Sequence, residues 1–299
     1  MVVPTLSPLQ SLPKTHLLTK LTSISPRPVA LEPFVLRADV DLDGPSACLW
    51  THDTDVQQLS IWASRWKGPI SILVTTAHPP GSTLSIELAK KIVAFRKTTS
   101  TKHKVSAHVL HLAPDTPDNP NAFLNLARVF SRTPTVVLFP GNLSVVPPKT
   151  FQRSIGSSAP TVDIKPVVFA SRGKTTFPFS DLSPVILKRD DHPWCSERFF
   201  PALSRATDWT ECLWQLWLDG FGDFETRLTT DWVNELHPVY ATNSTEAKVH
   251  QRLSGKFRGE TCVLATRQMA ALRTPGKAVD PIKVRWLKRH CREWIGGRD

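Results

Sequence analysis

The chain has 299 residues, 40% hydrophobic and 21% charged, with a formal net charge of +11 at pH 7. That length can bury a full core without staples, and the balance excludes wholesale disorder. No run approaches the roughly 18 apolar residues of a membrane helix, and Pro4, Pro8, Pro13, Pro26, Pro28 and Pro33 break the start as a signal peptide, so a soluble chain is expected as written.

Residues 1 to 34 lack sustained periodicity and read as a Pro- and Ser-rich extended or disordered arm, with ordered signal from Phe34 onward. Ala47 to Thr51 predicts a strand. Val56, Leu59, Ala63 and Trp66 then recur at helical spacing until Gly68-Pro69. Ile70 to Thr75 is the second strand. Ser82 is placed to cap a helix through Phe95 with Leu84, Leu88, Ile92 and Phe95 on one face. Val105 to His111 alternates as a third strand. Asn119 followed by Pro120 predicts a capped helix with proline at its first position and a stripe of Phe123, Leu126, Ala127 and Phe130. Thr133-Pro134 ends it, and Thr135 to Phe139 is the fourth strand.

Beyond residue 140 the pattern loosens. Pro147 to Pro160 reads as a loop, Pro166 to Ala170 and Val185 to Lys188 as strands, and Ala206 to Asp219 as a helix ended by Gly220. Helical signal returns from Thr245 to Ser254, from Gly259 to Arg273 and in the C-terminal segment. Strands alternating with helices predict an α/β fold, a largely parallel sheet flanked by helices with a mixed C-terminal half. In such sheets ligands bind outside the carboxyl ends of the strands. Here those ends are Thr51-His52, Thr75-Thr76, His111 to Asp115 and Phe139 to Asn142, so Thr51, His111, Pro140, Gly141 and Asn142 are the donor-side candidates.

The positive charge suits nucleotides, anionic glycans or nucleic acid, or simply makes a basic surface. Its densest stretch is Lys283, Arg285, Lys288, Arg289 and Arg292, with Trp286 and Trp294 among the charges. Basic residues interleaved with aromatics can bind single strands; Val284, Leu287 and Cys291 favour a terminal helix docked on the domain. Cys48, Cys195, Cys212, Cys262 and Cys291 include no CxxC pair, which leaves a zinc site unsupported and either buried thiols or one or two disulfides open. Sequons stand at Asn142 and Asn243. No GxxxxGKS, GxGxxG, GxSxG or HExxH motif occurs, which argues against the common NTPase, dinucleotide, hydrolase and zincin classes.

Several blocks resemble one family. Trp62-Ala63-Ser64-Arg65-Trp66-Lys67-Gly68-Pro69-Ile70-Ser71 is similar to the "RW-G-P-I-S" segment of LARGE-type and beta-1,4-glucuronyltransferase proteins, glycosyltransferase family 49. Pro120 to Arg128 resembles the family's "P-N-xx-RN-A" helix, and Thr133 to Phe139 the strand before its metal motif. Glu197-Arg198-Phe199 and Trp209 resemble its "ERF…W" block, and His237 falls where the family places a metal-binding histidine. The blocks span about residues 40 to 240 in the family's order.

The resemblance implies a GT-A fold and one transferase domain over residues 35–299, with a nucleotide-sugar half to about 145 and an acceptor half beyond it. It implies inverting transfer from a UDP-sugar, typically glucuronate or xylose, to a glycan acceptor, with Mn²⁺, in the Golgi or secretory pathway. It further implies Arg198 on the donor side and Glu197 and Trp209 on the acceptor side. The family's Asp-x-Asp after the fourth strand is replaced by Pro140-Gly141-Asn142, which removes both carboxylate ligands. Three readings follow. A metal-independent transferase would use basic side chains on the phosphates, with Lys188, Arg189, His192 and Arg198 in the right block. A second would recruit metal through Asp190-Asp191, and a third is a pseudoenzyme that binds without turnover. Asp208 and Glu211 are the candidate general bases, Asp208 first. Trp194, Trp209, Trp214 and Trp217 are either sugar platforms or, for Trp214 and Trp217, core. A basic nucleic-acid-binding module is the rival outside the family.

Overall fold

Short apolar strands joined by helices can bury both strand faces only in a sheet covered on its two sides. The computed structural model describes residues 8–21, 28–38, 44–97, 103–151, 155, 165–170, 176–191, 195, 205–228, 245–271 and 280–295. A 3-10 turn (Pro8–Ser11) and α1 (Lys14–Leu21) precede β1 (Ala30–Leu36). β2 (Ser46–His52) runs through a 3-10 turn (Asp53–Gln58) into α2 (Leu59–Arg65). β3 (Ile70–Thr76), α3 (Thr83–Ala94), β4 (Val105–His111), α4 (Pro120–Val129) and β5 (Thr135–Leu138) complete the regular half. The second half holds β6 (Val167–Ala170), β7 (Val185–Lys188), α5 (Arg205–Asp219), β8 (Glu225–Leu228), α6 (Thr245–Ala271) and α7 (Pro281–Ile295).

The eight strands form one sheet in the order β1-β4-β3-β2-β5-β7-β6-β8. β4, β3, β2 and β5 are parallel; β1 is antiparallel to β4, β7 is antiparallel to both its neighbours, and β8 runs parallel to β6. This is the α/β architecture read from the sequence, and it is consistent with a GT-A-like fold. Alternate side chains divide the core. Cys48, Trp50, Leu73 and Leu138 face a layer holding α1, α4, α5, α6 and α7. Ala47, Leu49, Ile72 and Val74 face α2 and α3. That split is the two-residue period of a strand.

Local chemistry sets the helix ends. Ser82 Oγ accepts from the Ser85 amide at 3.2 Å, and Asn119 Oδ1 from the Ala122 amide at 3.3 Å with Pro120 in the first turn. Lys104 Nζ donates to the Ala63 and Trp66 carbonyls that α2 leaves unpaired, at 2.5 and 2.6 Å. Burial lowers the Lys104 pKa. Gly222 has φ of +73°, and a Cβ there would lie 2.6 Å from Trp286 Cζ2, so only glycine lets α7 close on the end of α5.

Several expectations are corrected. The arm expected before residue 34 contains α1 and most of β1, with Leu17, Leu18 and Leu31 in the core. β1 is fixed by its partner β4 rather than by its own pattern. The helical spacing read from Val56 to Trp66 begins within a 3-10 turn, although Val56, Leu59, Ala63 and Trp66 are all buried. On α3 the buried residues are Ser85, Leu88 and Ile92, and Leu84 is exposed. The two expected helices at 245–254 and 259–273 are one helix, because Phe257, Cys262, Ala265 and Met269 pack on the core across Gly255 and Gly259. Of the open cysteine alternatives, two disulfides form, Cys195–Cys212 and Cys262–Cys291, and Cys48 is a buried free thiol. Among the described residues no helix is long and apolar enough to cross a membrane.

Candidate functional site

The chain winds from β2 to β3 and β4 in one direction, then returns to place β5 on the other side of β2. Open α/β sheets bind ligands in the crevice at such a reversal, which makes the carboxyl ends of β2 and β5 the two sides of the candidate crevice. Leu138 pairs with Cys48, so β2 continues to His52 beyond the end of β5. The N-termini of α4 and α5 converge on this step.

On the β5 side, Arg205 opens α5 and crosses the loop that follows the strand. Its Nε donates to the Pro140 carbonyl at 2.8 Å and its Nη1 to Asn121 Oδ1 at 2.6 Å. Nη1 also pairs with Asp208 Oδ2 one turn along the helix. The guanidinium carbon lies 5.1 Å from the Trp209 ring centroid. Trp209 is fully buried, and its Nε1 donates to the Ser183 carbonyl at 2.7 Å. The Arg205 side chain is 18% exposed and that of Asp208 13%, so the pair is largely shielded from solvent.

On the β2 side, His52 Nε2 lies 3.2 Å from Asp118 Oδ2 and Nδ1 lies 3.0 Å from Thr75 Oγ1. The Thr75 hydroxyl also lies 3.3 Å from the Thr51 carbonyl. The hydrogen bond to Asp118 raises the His52 pKa, and the charges of Asp118, Asp55 and Asp53 add to it against partial burial. Further along the edge, Thr76 Oγ1 donates to Asp53 Oδ2 at 2.5 Å, with His78 Nε2 at 3.5 Å from that oxygen. His111 Nδ1 donates to the His78 carbonyl at 2.7 Å; its Nε2 lies 3.3 Å from Glu32 Oε1, off the hydrogen-bond direction.

Of the donor-side candidates, Pro140, Gly141 and Asn142 lie on the crevice loop. Thr51 is buried and contributes its carbonyl. His111 is buried two strands from β2, about 10 Å away at ordinary strand spacing, and does not reach the crevice. Asp208 stands beside the crevice in its pair with Arg205. Glu211 turns the other way, into a two-point pair with Arg258 of α6 at 2.7 and 2.9 Å. Trp209 is a buried support rather than an accessible platform, and Trp214 and Trp217 are core. Glu197, Arg198, His192, Trp194 and His237 lie outside the described residues.

Lys188, Arg189, Asp190 and Asp191 are corrected outright. Lys188 pairs with Thr135 at the start of β5, so the segment sits at the opposite end of the strand, about 10 Å from Leu138. There the Lys188, Arg189 and Asp191 carbonyls accept from the buried guanidinium of Arg128. Burial lowers the Arg128 pKa to about 10.

The crevice loop does not fit Mn²⁺. The Pro140 carbonyl is taken by Arg205, and Asn142 Oδ1 accepts from the Ser144 amide at 3.2 Å and the Ser144 hydroxyl at 2.5 Å. A divalent ion here would find a neutral, occupied oxygen set beside a guanidinium. Among the described residues no group of three or more His, Cys, Asp and Glu is placed to hold a metal. The sequence signals missed Arg205 and Asp118, and marked His52 only as the end of a strand; position at a helix end was the one signal that could have pointed to Arg205.

Fold and site together define an α/β domain with a crevice built around a guanidinium and an imidazole, each held by a carboxylate. Compared with known proteins, the chain matches no family model and no curated protein.

Proposed function

We propose that the chain is a LARGE-type, glycosyltransferase-like protein that binds a UDP-sugar in the β2/β5 crevice without a divalent cation and transfers the sugar with inversion to a glycan acceptor. The observation that carries this reading is Arg205, bonded to the Pro140 carbonyl in the loop where the family has its metal ligands. A fixed guanidinium can offset diphosphate charge and, unlike an ion, needs no carboxylates of its own to stay in place. Glucuronate and xylose are the donors the resemblance points to.

The pair with Asp208 supplies a sequence of events. A diphosphate entering the crevice competes for Arg205 and releases Asp208. The freed carboxylate takes the proton of the acceptor hydroxyl as its oxygen bonds to the sugar C1, and the C1–O bond to UDP breaks. Trp209 keeps the guanidinium in place during the exchange. The two disulfides agree with an oxidising, secretory compartment.

A second reading, binding without turnover, is favoured by a separate observation: Asp208 and Glu211 are each held by an arginine. Calorimetry with UDP, first with Mn²⁺ and then with EDTA, tests the binding step. Equal affinity in both conditions is expected, and a strong gain with Mn²⁺ would refute the metal-free site. UDP release from UDP-glucuronate or UDP-xylose with acceptor separates the two readings. Release abolished by Asp208→Asn supports the transferase; UDP bound without release from either donor leaves the binding module.

A further inference from the structure

The net charge is unevenly held. α6 carries five basic residues against two acidic, and α7 five against one, so these two helices hold seven of the chain's eleven net positive charges. On α7 the face packed on the core is Val284, Leu287 and Cys291, with Trp286 and His290 against Trp217. The opposite face is Arg285, Lys288, Arg289 and Arg292, all exposed. Their i, i+3, i+4, i+7 spacing makes one stripe about 10 Å long at the helical rise.

An ordinary solvated helix face alternates its signs; this one does not. Each of the four cations has like-charged neighbours three or four residues away, which repel. The one acidic residue of α7, Glu293, is half-buried and lies 3.2 Å from His290, whose pKa burial lowers. α6 repeats the pattern, with Lys248, Arg252, Lys256 and Arg267 exposed on one side and Phe257, Cys262, Ala265 and Met269 buried on the other. The Cys262–Cys291 disulfide locks the two helices together behind these stripes.

We infer that the α7 stripe, Arg285, Lys288, Arg289 and Arg292, is a docking surface for an acidic polysaccharide. The inference does not depend on the donor crevice. Trp217, which carries α7, is about 18 Å along α5 from Arg205. Two observations favour a glycan over a nucleic acid. Among the residues whose side chains are described no large aromatic is exposed, so none of these offers the stacking platform that holds single strands. The layer is also closed by a disulfide, which belongs to compartments where acidic glycans are the abundant polyanions. Sulfate and carboxylate groups need only the forked and single-point cations that the stripe presents.

The test uses the full chain and heparin as the polyanion. Arg285, Lys288, Arg289 and Arg292 are each replaced by Gln in one variant. In a charge-matched control, the exposed Lys90, Lys91, Arg96 and Lys97 are replaced by Gln instead. The stripe variant is expected to lose at least about tenfold in heparin affinity at physiological salt, with a shallower salt dependence, while the control stays within about twofold. A lysine-acylation footprint on the unmodified chain gives a second reading free of folding effects: heparin should protect Lys288 and leave Lys90 and Lys91 reactive. Equal loss in both variants, or an unprotected Lys288, would overturn the site in favour of diffuse charge. Tighter binding of single-stranded poly(U) than of heparin at the same ionic strength would overturn the glycan assignment.

Discussion

Replacing Arg205 by Gln should destabilise the fold more than any other single change at the crevice, and the cost follows from what it leaves behind. The substitution removes donors to the Pro140 carbonyl and Asn121, a ring contact with Trp209, and the counter-charge of Asp208, whose side chain is 13% exposed. Stranding a shielded carboxylate costs about 3 to 5 kcal/mol. Asp208→Asn keeps an amide that still accepts from Arg205, and should cost only about 1 to 2 kcal/mol. If the pair is the main term, R205Q/D208N should be more stable than R205Q alone by about 1 to 3 kcal/mol, a coupling that a double-mutant cycle in urea would measure. A loss below about 1 kcal/mol for R205Q, with no recovery in the double variant, would refute the pair and remove the basis of the metal-free site.

Three further outcomes are expected. His108 is fully buried, its Nδ1 accepting from the Phe34 amide and its Nε2 facing Ser71 Oγ, and burial lowers its pKa to about 3. Because the unfolded chain takes up this proton first, stability should fall with slope up to about 1.4 kcal/mol per pH unit as pH drops below about 6.5; His108→Gln should flatten that limb in urea titrations between pH 7.5 and 4.5. Removing either disulfide, across separations of 17 and 29 residues, should cost about 3 to 4 kcal/mol, while the denatured, unreduced chain should expose one reactive thiol, Cys48. Gly222→Ala should cost about 2 to 3 kcal/mol by forcing φ and displacing Trp286, and an unchanged Tm would contradict the close approach of α7.

The regular half of the fold was legible because its signals are local. Ser82 and Asn119-Pro120 sit at the helix starts they announce, and β2 to β5 carry apolar runs bounded by breakers. What escaped depends on partners distant in sequence. β1 contains Pro33 and is defined by β4, some 80 residues on; β8 has no buried residue and is defined by β6. Gly255 and Gly259 read as a break, but tertiary packing carries α6 through them. The site divides in the same way. Pro140 to Asn142 could be placed just past β5 because a strand end is a local feature. Arg205 could not, since its partners are 65 and 84 residues away. The Lys188 to Asp191 segment was misplaced because adjacency to the "ERF" block says nothing about strand direction, and antiparallel β7 carries it to the far end of β5.

Exchanging a metal for a guanidinium has an energetic consequence that separates the proposed mechanism from simple anion binding. A family-type ion held by carboxylates is already neutralised by ligands it keeps throughout. Arg205 is instead neutralised by Asp208, which a diphosphate has to displace. Donor affinity is then weakened by the coupling within the pair. Removing the carboxylate's charge should return that energy, so Asp208→Asn is expected to tighten UDP binding by roughly tenfold, the equivalent of about 1.4 kcal/mol, in EDTA. The same substitution should abolish transfer, since the amide cannot take the acceptor's proton. Tighter binding with lost turnover is an unusual combination, and a general loss of folding would weaken both. If D208N binds UDP as the unmodified chain does, Arg205 does not meet the diphosphate, and the crevice chemistry has to rest on His52 and Asp118 instead.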